Sequence, residues 1–421
     1  MTTLVADAQP VRQPLLRWLG RSLWRFLVLP ALLLGGIGTA FVVGGDPGDR
    51  GFFDFKGGLW RAGVDILHGH DPYRAAYVAH QAAIMHAGGI AVGESYKHVF
   101  SVPLYPAPAN LAVIPLSLLP YWPAAIIYTV AAIAAMFGSL RLLGVRDWRC
   151  HLLVLISWPF LYGALLGAIG PFIVLGAAIA WVWRDRLRRP ALAVGTIVAL
   201  KVFPWTLGAW LLMTRRYKTL ALAIVTLVVL IVGGWAIIGF QGMVQYPEML
   251  SNATYIQEGR ADGVATVMLV AGASPRLAQA IALLAGVALL GLAWRLRGGP
   301  DGDRRAFGLA IIASLVSTPI VWDHYMVLLF VPIALLFPRV HRLWTLPVIA
   351  QTLITLSYAI WPQAKIERAG SPDALHSAIG YLLVQAIITV YLCTTADQRA
   401  ELTARWRTRL RRAPVGSAVT G

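Results

Sequence analysis

Charge is scarce in this chain. Asp, Glu, Lys and Arg make up only 13% of its 421 residues, against 58% hydrophobic residues, and the mean hydropathy is +0.67. A soluble globule cannot hide that much apolar surface, so most of this chain has lipid as its solvent. Acidic residues are the scarcest charges, 19 against 36 basic ones. Cysteine is nearly absent: Cys150 and Cys393 supply no CxxC, no metal-ligand spacing and no disulfide framework. There is no Walker A loop, HExxH, GxSxG or strand-borne GxGxxG. A reaction drawing on cytosolic nucleotide is therefore unsupported, and chemistry at the outer face would need a donor already in the membrane.

What is present is a series of apolar runs separated by arginine bursts. The net charge of +17 does not form one basic face, as nucleic-acid binding would need. It comes in clusters: Arg17/Arg21/Arg25, Arg141/Arg146/Arg149, Arg184 to Arg189, Arg215/Arg216/Lys218, Arg295 to Arg305, Arg339/Arg342 and Arg405 to Arg412. Short loops rich in Lys and Arg stay in the cytoplasm. The clusters thus mark topology and contact with membrane lipids, and nucleic acid is not an expected partner. The segments 46–107, 240–262 and 361–374 carry nearly balanced charge and read as extracytoplasmic loops. The expected class is an all-α polytopic membrane protein with about 10–13 transmembrane helices. Its parts are a cytoplasmic basic N-terminus (1–22), a membrane domain (23–395) holding loop 46–107, and a cytoplasmic basic tail (396–421). The first apolar run, Leu23 to Gly45, reads as an uncleaved span and not as a signal peptide.

Two long apolar runs are interrupted by polar, proline-containing kinks. One is Leu200-Lys201-Val202-Phe203-Pro204; the other is Ser317-Thr318-Pro319-Ile320-Val321-Trp322-Asp323-His324-Tyr325. Irregular polar backbone at membrane depth survives only inside protein or beside a wet cavity. With basic clusters at both ends of each run, both kinks fall on the side of loop 46–107, which suggests a common cavity. Region 106–143, with five prolines, fits either two crossings or a half-inserted helix followed by one crossing.

The chemistry-bearing candidates lie in those places. Asp54 could act as a general base for an attacking hydroxyl, or could simply cap a helix. His324 could donate to a phosphate or sugar oxygen, with Trp322 and Asp323 shaping the pocket. Lys201 could neutralise a lipid-linked phosphate as a point charge, or snorkel at a helix end. Lys56 and Tyr105 are assigned to the substrate pocket; Arg260 and Lys365 are weaker loop candidates. No clustered carboxylate pair is visible that demands a metal ion, although Asp54 could hold one with water. Metal dependence is open, and no cofactor is required.

In order along the chain, Asp54, Gly69-His70-Asp71-Pro72-Tyr73, Tyr105-Pro106-Ala107-Pro108 with Ile114-Pro115-Leu116, Leu200 to Pro204 and Ser317 to Tyr325 resemble the motifs of glycosyltransferase family 87. That family has the GT-C fold and includes actinobacterial α-mannosyltransferases and α-arabinofuranosyltransferases. The resemblance covers roughly residues 24–395. It implies an inverting transfer of mannose or arabinofuranose from a polyprenyl-phosphate donor to a glycolipid or cell-envelope polysaccharide. The setting would be the periplasmic face of the bacterial plasma membrane. It also implies Asp54 as catalytic base, His324 in the active site and Lys201 as the family's kink lysine. Two stretches depart from the pattern. Gly167-Ala168-Ile169-Gly170-Pro171 stands where many members have Gly-Gln, and Ala107 separates two prolines that are often consecutive. The rival class is a transporter or flippase of lipid-linked sugars, which would share broken helices and buried charges but usually has repeats and a midplane site.

Overall fold

The computed structural model describes residues 54–74, 104–257, 261–299, 301–351 and 372–394, together with 354 and 398. Among them every regular element is helical. A π-helical segment, Asp54–Trp60, leads into α1 (Arg61–Leu67), followed by α2 (Ala107–Ser117) and α3 (Tyr121–Leu142). Then come α4 (Trp148–Leu155), α5 (Trp158–Leu166), α6 (Gly170–Val182) and α7 (Arg188–Leu200). A 3-10 turn, Phe203–Trp205, precedes α8 (Thr206–Met213), α9 (Tyr217–Ile238), α10 (Phe240–Gln257), α11 (Val264–Val270) and α12 (Pro275–Leu296). The chain ends with α13 (Gly302–Val316), a 3-10 segment Asp323–Leu329, α14 (Phe330–Leu336), a 3-10 turn Arg342–Thr345 and α15 (Pro372–Cys393).

Among the described residues, α3, α9, α12 and Leu375–Cys393 of α15 are long and apolar enough to cross a membrane. The pair α4 and α5, bent by 56°, would make a fifth span. Much of the surface of these helices is apolar: Val228, Val229 and Ile237 of α9 and Leu284 of α12 are all exposed. Water would not tolerate such a continuous face, and lipid is its natural solvent. The protein is an all-α polytopic membrane protein. The first apolar run, loop residues 75–103 and nearly all of the tail after Thr394 lie outside the described residues.

The interruptions follow the prolines and polar residues. Lys201 ends α7 in an extended conformation (φ −157°, ψ 119°), and Pro204 then sits in the tight turn before α8. α13 stops at Val316, and six non-helical residues carry the chain to Asp323. In region 106–143, α2 has 11 residues, about 16 Å at ~1.5 Å per residue. α3 has 22 residues, about 33 Å. A half-length helix followed by one crossing is therefore the arrangement formed. One expectation needs correction. The stretch 240–262, read as a loop from its charge, is helical over Phe240–Gln257 with Pro247 inside the helix; charge balance reports a side, not a conformation. The apolar stretch 150–164 breaks between α4 and α5, where Ser157 turns its hydroxyl back onto the Val154 carbonyl at 2.7 Å.

Basic clusters distant in sequence meet at one end. Asp303 accepts from Arg216 (2.8 Å) and the Trp210 indole N–H (2.8 Å) and pairs with Arg184 (3.1 Å). Arg216 also reaches Asp185 at 3.2 Å. α7 starts beside this network at Arg188 and ends at Lys201, so both kinks lie at the opposite end.

Close packing of α7 on α9 depends on Gly195. A Cβ there would stand 2.6 Å from the Ala223 carbonyl oxygen and 2.7 Å from Thr226 Cβ. Gly195→Ala should therefore destabilise the folded protein by about 1–3 kcal/mol through overpacking. Gly291→Ala, where a Cβ would meet nothing within 4 Å, should be neutral or stabilising by up to about 1 kcal/mol, because alanine is the better helix former. Thermal melts of both variants in detergent test the opposite signs.

Candidate active site

Breaking α7 at Lys201 frees the side chain from helical packing and turns it into an aromatic niche. The ammonium lies 3.8 Å from the centroid of the Tyr325 ring and 5.1 Å from that of Tyr105. Such contacts favour a cation by cation–π attraction. Phe203, two residues further along the same kink, stacks on Tyr325, with ring centroids 5.0 Å apart and a 14° interplanar angle. The Tyr105 hydroxyl donates to Asp54 Oδ2 at 2.7 Å, which brings the first polar loop to the two kinks.

Electrostatics at Asp54 are a contest. Burial pushes its carboxyl above the ordinary carboxylate range, while the nearby Lys201 charge and the Tyr105 hydrogen bond act against that rise. A carboxylate so placed is a better proton acceptor than an exposed one. Tyr128 packs its ring 4.4 Å from Phe55, and its buried hydroxyl has no hydrogen-bond partner among the described residues. His324 is 4% exposed, and neither ring nitrogen has a partner among the described residues. Its ring lies edge-on to Tyr325 at 4.7 Å and 6.0 Å from Tyr162. Gly163 and Gly170 make room for this segment: a Cβ at the first would stand 3.2 Å from His324 Cβ, and at the second 3.1 Å from Val327.

A hydrogen-bonded clamp holds Tyr105 in place. Tyr73, 1% exposed, donates its hydroxyl to the Tyr105 carbonyl at 2.7 Å and accepts from the Asn110 amide at 2.8 Å. Asp71 fixes the turn by accepting from the Tyr73 N–H at 2.9 Å. From α10, Tyr246 donates to the Leu104 carbonyl at 2.9 Å. Tyr73 thus buttresses the site through the Tyr105 carbonyl, and Tyr246 through that of Leu104.

Asp54, Tyr105, Lys201 and His324 are brought to one place. Lys56 lies on the exposed side of the π-helical segment, 5.4 Å from the Tyr121 ring. Trp322 is the extended residue before the 3-10 segment, and its carbonyl accepts from the Tyr325 N–H at 2.8 Å. Asp323 accepts from the Trp158 indole at 2.7 Å and the Ser377 hydroxyl at 3.2 Å. Arg260 and Lys365 lie outside the described residues. Three participants were missed in the sequence. Tyr325 could have been found, since it adjoins His324; Tyr128 resembles any core tyrosine of an apolar helix. Asp262, far from Asp323 in sequence, is buried and hydrogen-bonded to the Asp323 carboxyl. The chain therefore does contain a clustered carboxylate pair, made by tertiary contact and not by local spacing. Among the described residues no three His, Cys, Asp or Glu side chains gather as metal ligands.

A buried carboxyl group, a cation and an uncommitted histidine thus gather at one end of the polytopic bundle. Residues 104–321 match the model of glycosyltransferase family 87, and the chain belongs to that family. It is also similar to the polyprenol-phosphate-mannose-dependent alpha-(1-2)-phosphatidylinositol pentamannoside mannosyltransferase of Mycolicibacterium smegmatis, with 28% identity over 240 residues. That alignment covers 53% of this chain and 58% of the relative, so the chain spans a little over half the length of the curated protein it matches. No solved structure matches.

Tyr73→Phe removes the shared hydroxyl and leaves the buried Tyr105 carbonyl and Asn110 amide short of a partner. The expected cost is about 1–3 kcal/mol, read as a lower melting temperature of the purified protein. An unchanged melt would show that the clamp contributes nothing.

Proposed function

We propose that this protein is an inverting glycosyltransferase that moves a sugar from a polyprenyl-phosphate donor to a glycolipid or cell-envelope glycan at the extracytoplasmic face of the plasma membrane. The carrying observation is the Tyr105–Asp54 hydrogen bond beside the caged Lys201 ammonium. Asp54 accepts the proton of the acceptor hydroxyl as that oxygen attacks the anomeric carbon. The bond from that carbon to the phosphate oxygen breaks, and polyprenyl phosphate leaves with the electron pair. Lys201 supplies positive charge to the departing phosphate, and His324 offers an uncommitted ring N–H to it or to a sugar hydroxyl. Because the donor's phosphodiester carries the driving force, no nucleotide enters the step. Mannose is the favoured sugar, supported by the mannosyltransferase activity for which the Mycolicibacterium relative is named. A transporter or flippase has no use for a general base, so the same residue separates the two classes.

The extracytoplasmic assignment rests on the arginine network at the far end of α7. A cysteine placed at exposed His70 should label from outside intact cells, and one at exposed Arg189 only after permeabilisation. The reverse pattern would invert the orientation.

Asp54→Asn keeps shape and removes the proton-accepting charge; transfer should fall by about 10²–10⁴-fold with folding retained. Activity within about threefold of wild type, far short of the loss expected for a base, would remove Asp54 from the mechanism. The pH profile carries a signed test. Transfer is lost as pH falls and Asp54 protonates, so the acid limb should lie above the ordinary value of about 4. Lys201→Met removes a cation that opposes this rise, so the limb should move to still higher pH. An unmoved limb would exclude Lys201 from acting on the base.

A further inference from the structure

The Asp262–Asp323 pair sits immediately behind the His324–Tyr325 wall, joining four parts of the chain. Asp262 lies in the turn before α11 and is 5% exposed; its backbone N–H donates to the Val321 carbonyl at 2.5 Å. Trp158 comes from α5 and Ser377 from α15, and both donate to Asp323. The Ser377 hydroxyl is also within hydrogen-bonding reach of the Asp262 carboxyl. Two carboxyl groups can hydrogen-bond to each other only if one of them holds a proton. Asp323 accepts from an indole N–H and a hydroxyl, and Asp262 in turn accepts from the Asp323 backbone N–H, so the pair holds one proton between its two carboxyl groups.

We propose that Asp262 and Asp323 are positioning residues: a carboxylic acid donating to a carboxylate, whose single shared proton locks the 3-10 segment that presents His324 and Tyr325 to the active site. Asp323 is held from three directions, by Trp158, Ser377 and Asp262. His324 and Tyr325 follow it directly, so their rings inherit its position. The role in transfer rests on the glycosyltransferase reading; the shared proton does not.

Burial and the facing Asp323 charge both push the Asp262 carboxyl well above its ordinary range. A carboxyl raised in the fold contributes stability that is complete below its unfolded value and is lost as pH rises through the folded one. Above that point two buried carboxylates would face each other and push the segment apart. Other titratable groups on the elements meeting here include His324 and Tyr325 on the 3-10 segment, Tyr162 on α5, Asp373, His376 and Tyr381 on α15 and Arg276 on α12. His376→Gln serves as a control: a pH-dependent step that it removes would assign the titration to that histidine and overturn the proposal.

The test uses purified full-length protein carrying Asp262→Asn or Asp262→Ala. Asparagine is a permanently neutral donor of nearly the same shape. The wild-type melting temperature should drop as pH rises through the titration of the pair, and Asp262→Asn should lack that drop. Where transfer is measurable, Asp262→Asn should stay within about threefold of wild type and lose the alkaline decline. Asp262→Ala should lower kcat by about 10²-fold through misplacement of the wall, with donor KM little changed. A pH-dependent melt identical in wild type and Asp262→Asn would overturn the shared proton, whatever the reaction proves to be. A folded Asp262→Asn as inactive as Asp262→Ala would overturn the positioning role. Stabilisation of the wild type by magnesium or calcium, absent in Asp262→Asn and reversed by EDTA, would replace the proton with a cation and also overturn the proposal.

Discussion

Lipid offers no hydrogen bonds to a peptide backbone, and that constraint shapes everything else in this molecule. Each departure from helix within the apolar mass must find its partners in the protein or beside polar space. The breaks after Leu200 and Val316 are placed accordingly at one end, and they face each other. Lys201 from the first meets Tyr325 from the second; Tyr105, entering from the first polar loop, closes the group. The site is built where the bundle cannot be regular.

Within that group, no charge is paired in the simple way. Asp54 and Lys201 influence each other, but Tyr105 takes the direct hydrogen bond and aromatic faces take the ammonium. A close buried ion pair would neutralise both partners and hold them for structure. Spacing them through a tyrosine leaves the carboxylate basic and the cation able to turn to another anion. The contrast with the far end is clear: there Asp303 is saturated by Arg184, Arg216 and Trp210, a set fitted for cohesion.

The sequence made the kinks legible, because Pro204 and Pro319 coincide with isolated polar residues in otherwise apolar runs. It also made Asp54, Lys201 and His324 stand out, since ionisable groups are rare in such surroundings. The charge of 240–262 misled about its conformation: a helix containing Pro247 and facing polar surroundings has no apolar period to announce it. The bend at Ser157 was signalled only by Ser157 and Pro159 inside an otherwise apolar stretch. Asp262 and Tyr128 were hidden for a different reason. Their significance comes from what the fold sets beside them, Asp323 in one case and Asp54 in the other, and no local pattern encodes a tertiary neighbour.

The glycines behind His324 carry an evolutionary consequence. Gly163 and Gly170 lie so close to the 3-10 segment that an added Cβ would press on His324 Cβ at 3.2 Å or on Val327 at 3.1 Å, and the segment would have to give by a few tenths of an ångström. The histidine face of the site therefore resists remodelling from behind, since even the smallest mutational step is felt by the segment. Tyr105 and Tyr128 approach from other elements, and their rings can change without pressing on that segment. Descendants of this scaffold would diverge through those rings first, while the wall that bears the histidine stays as it is.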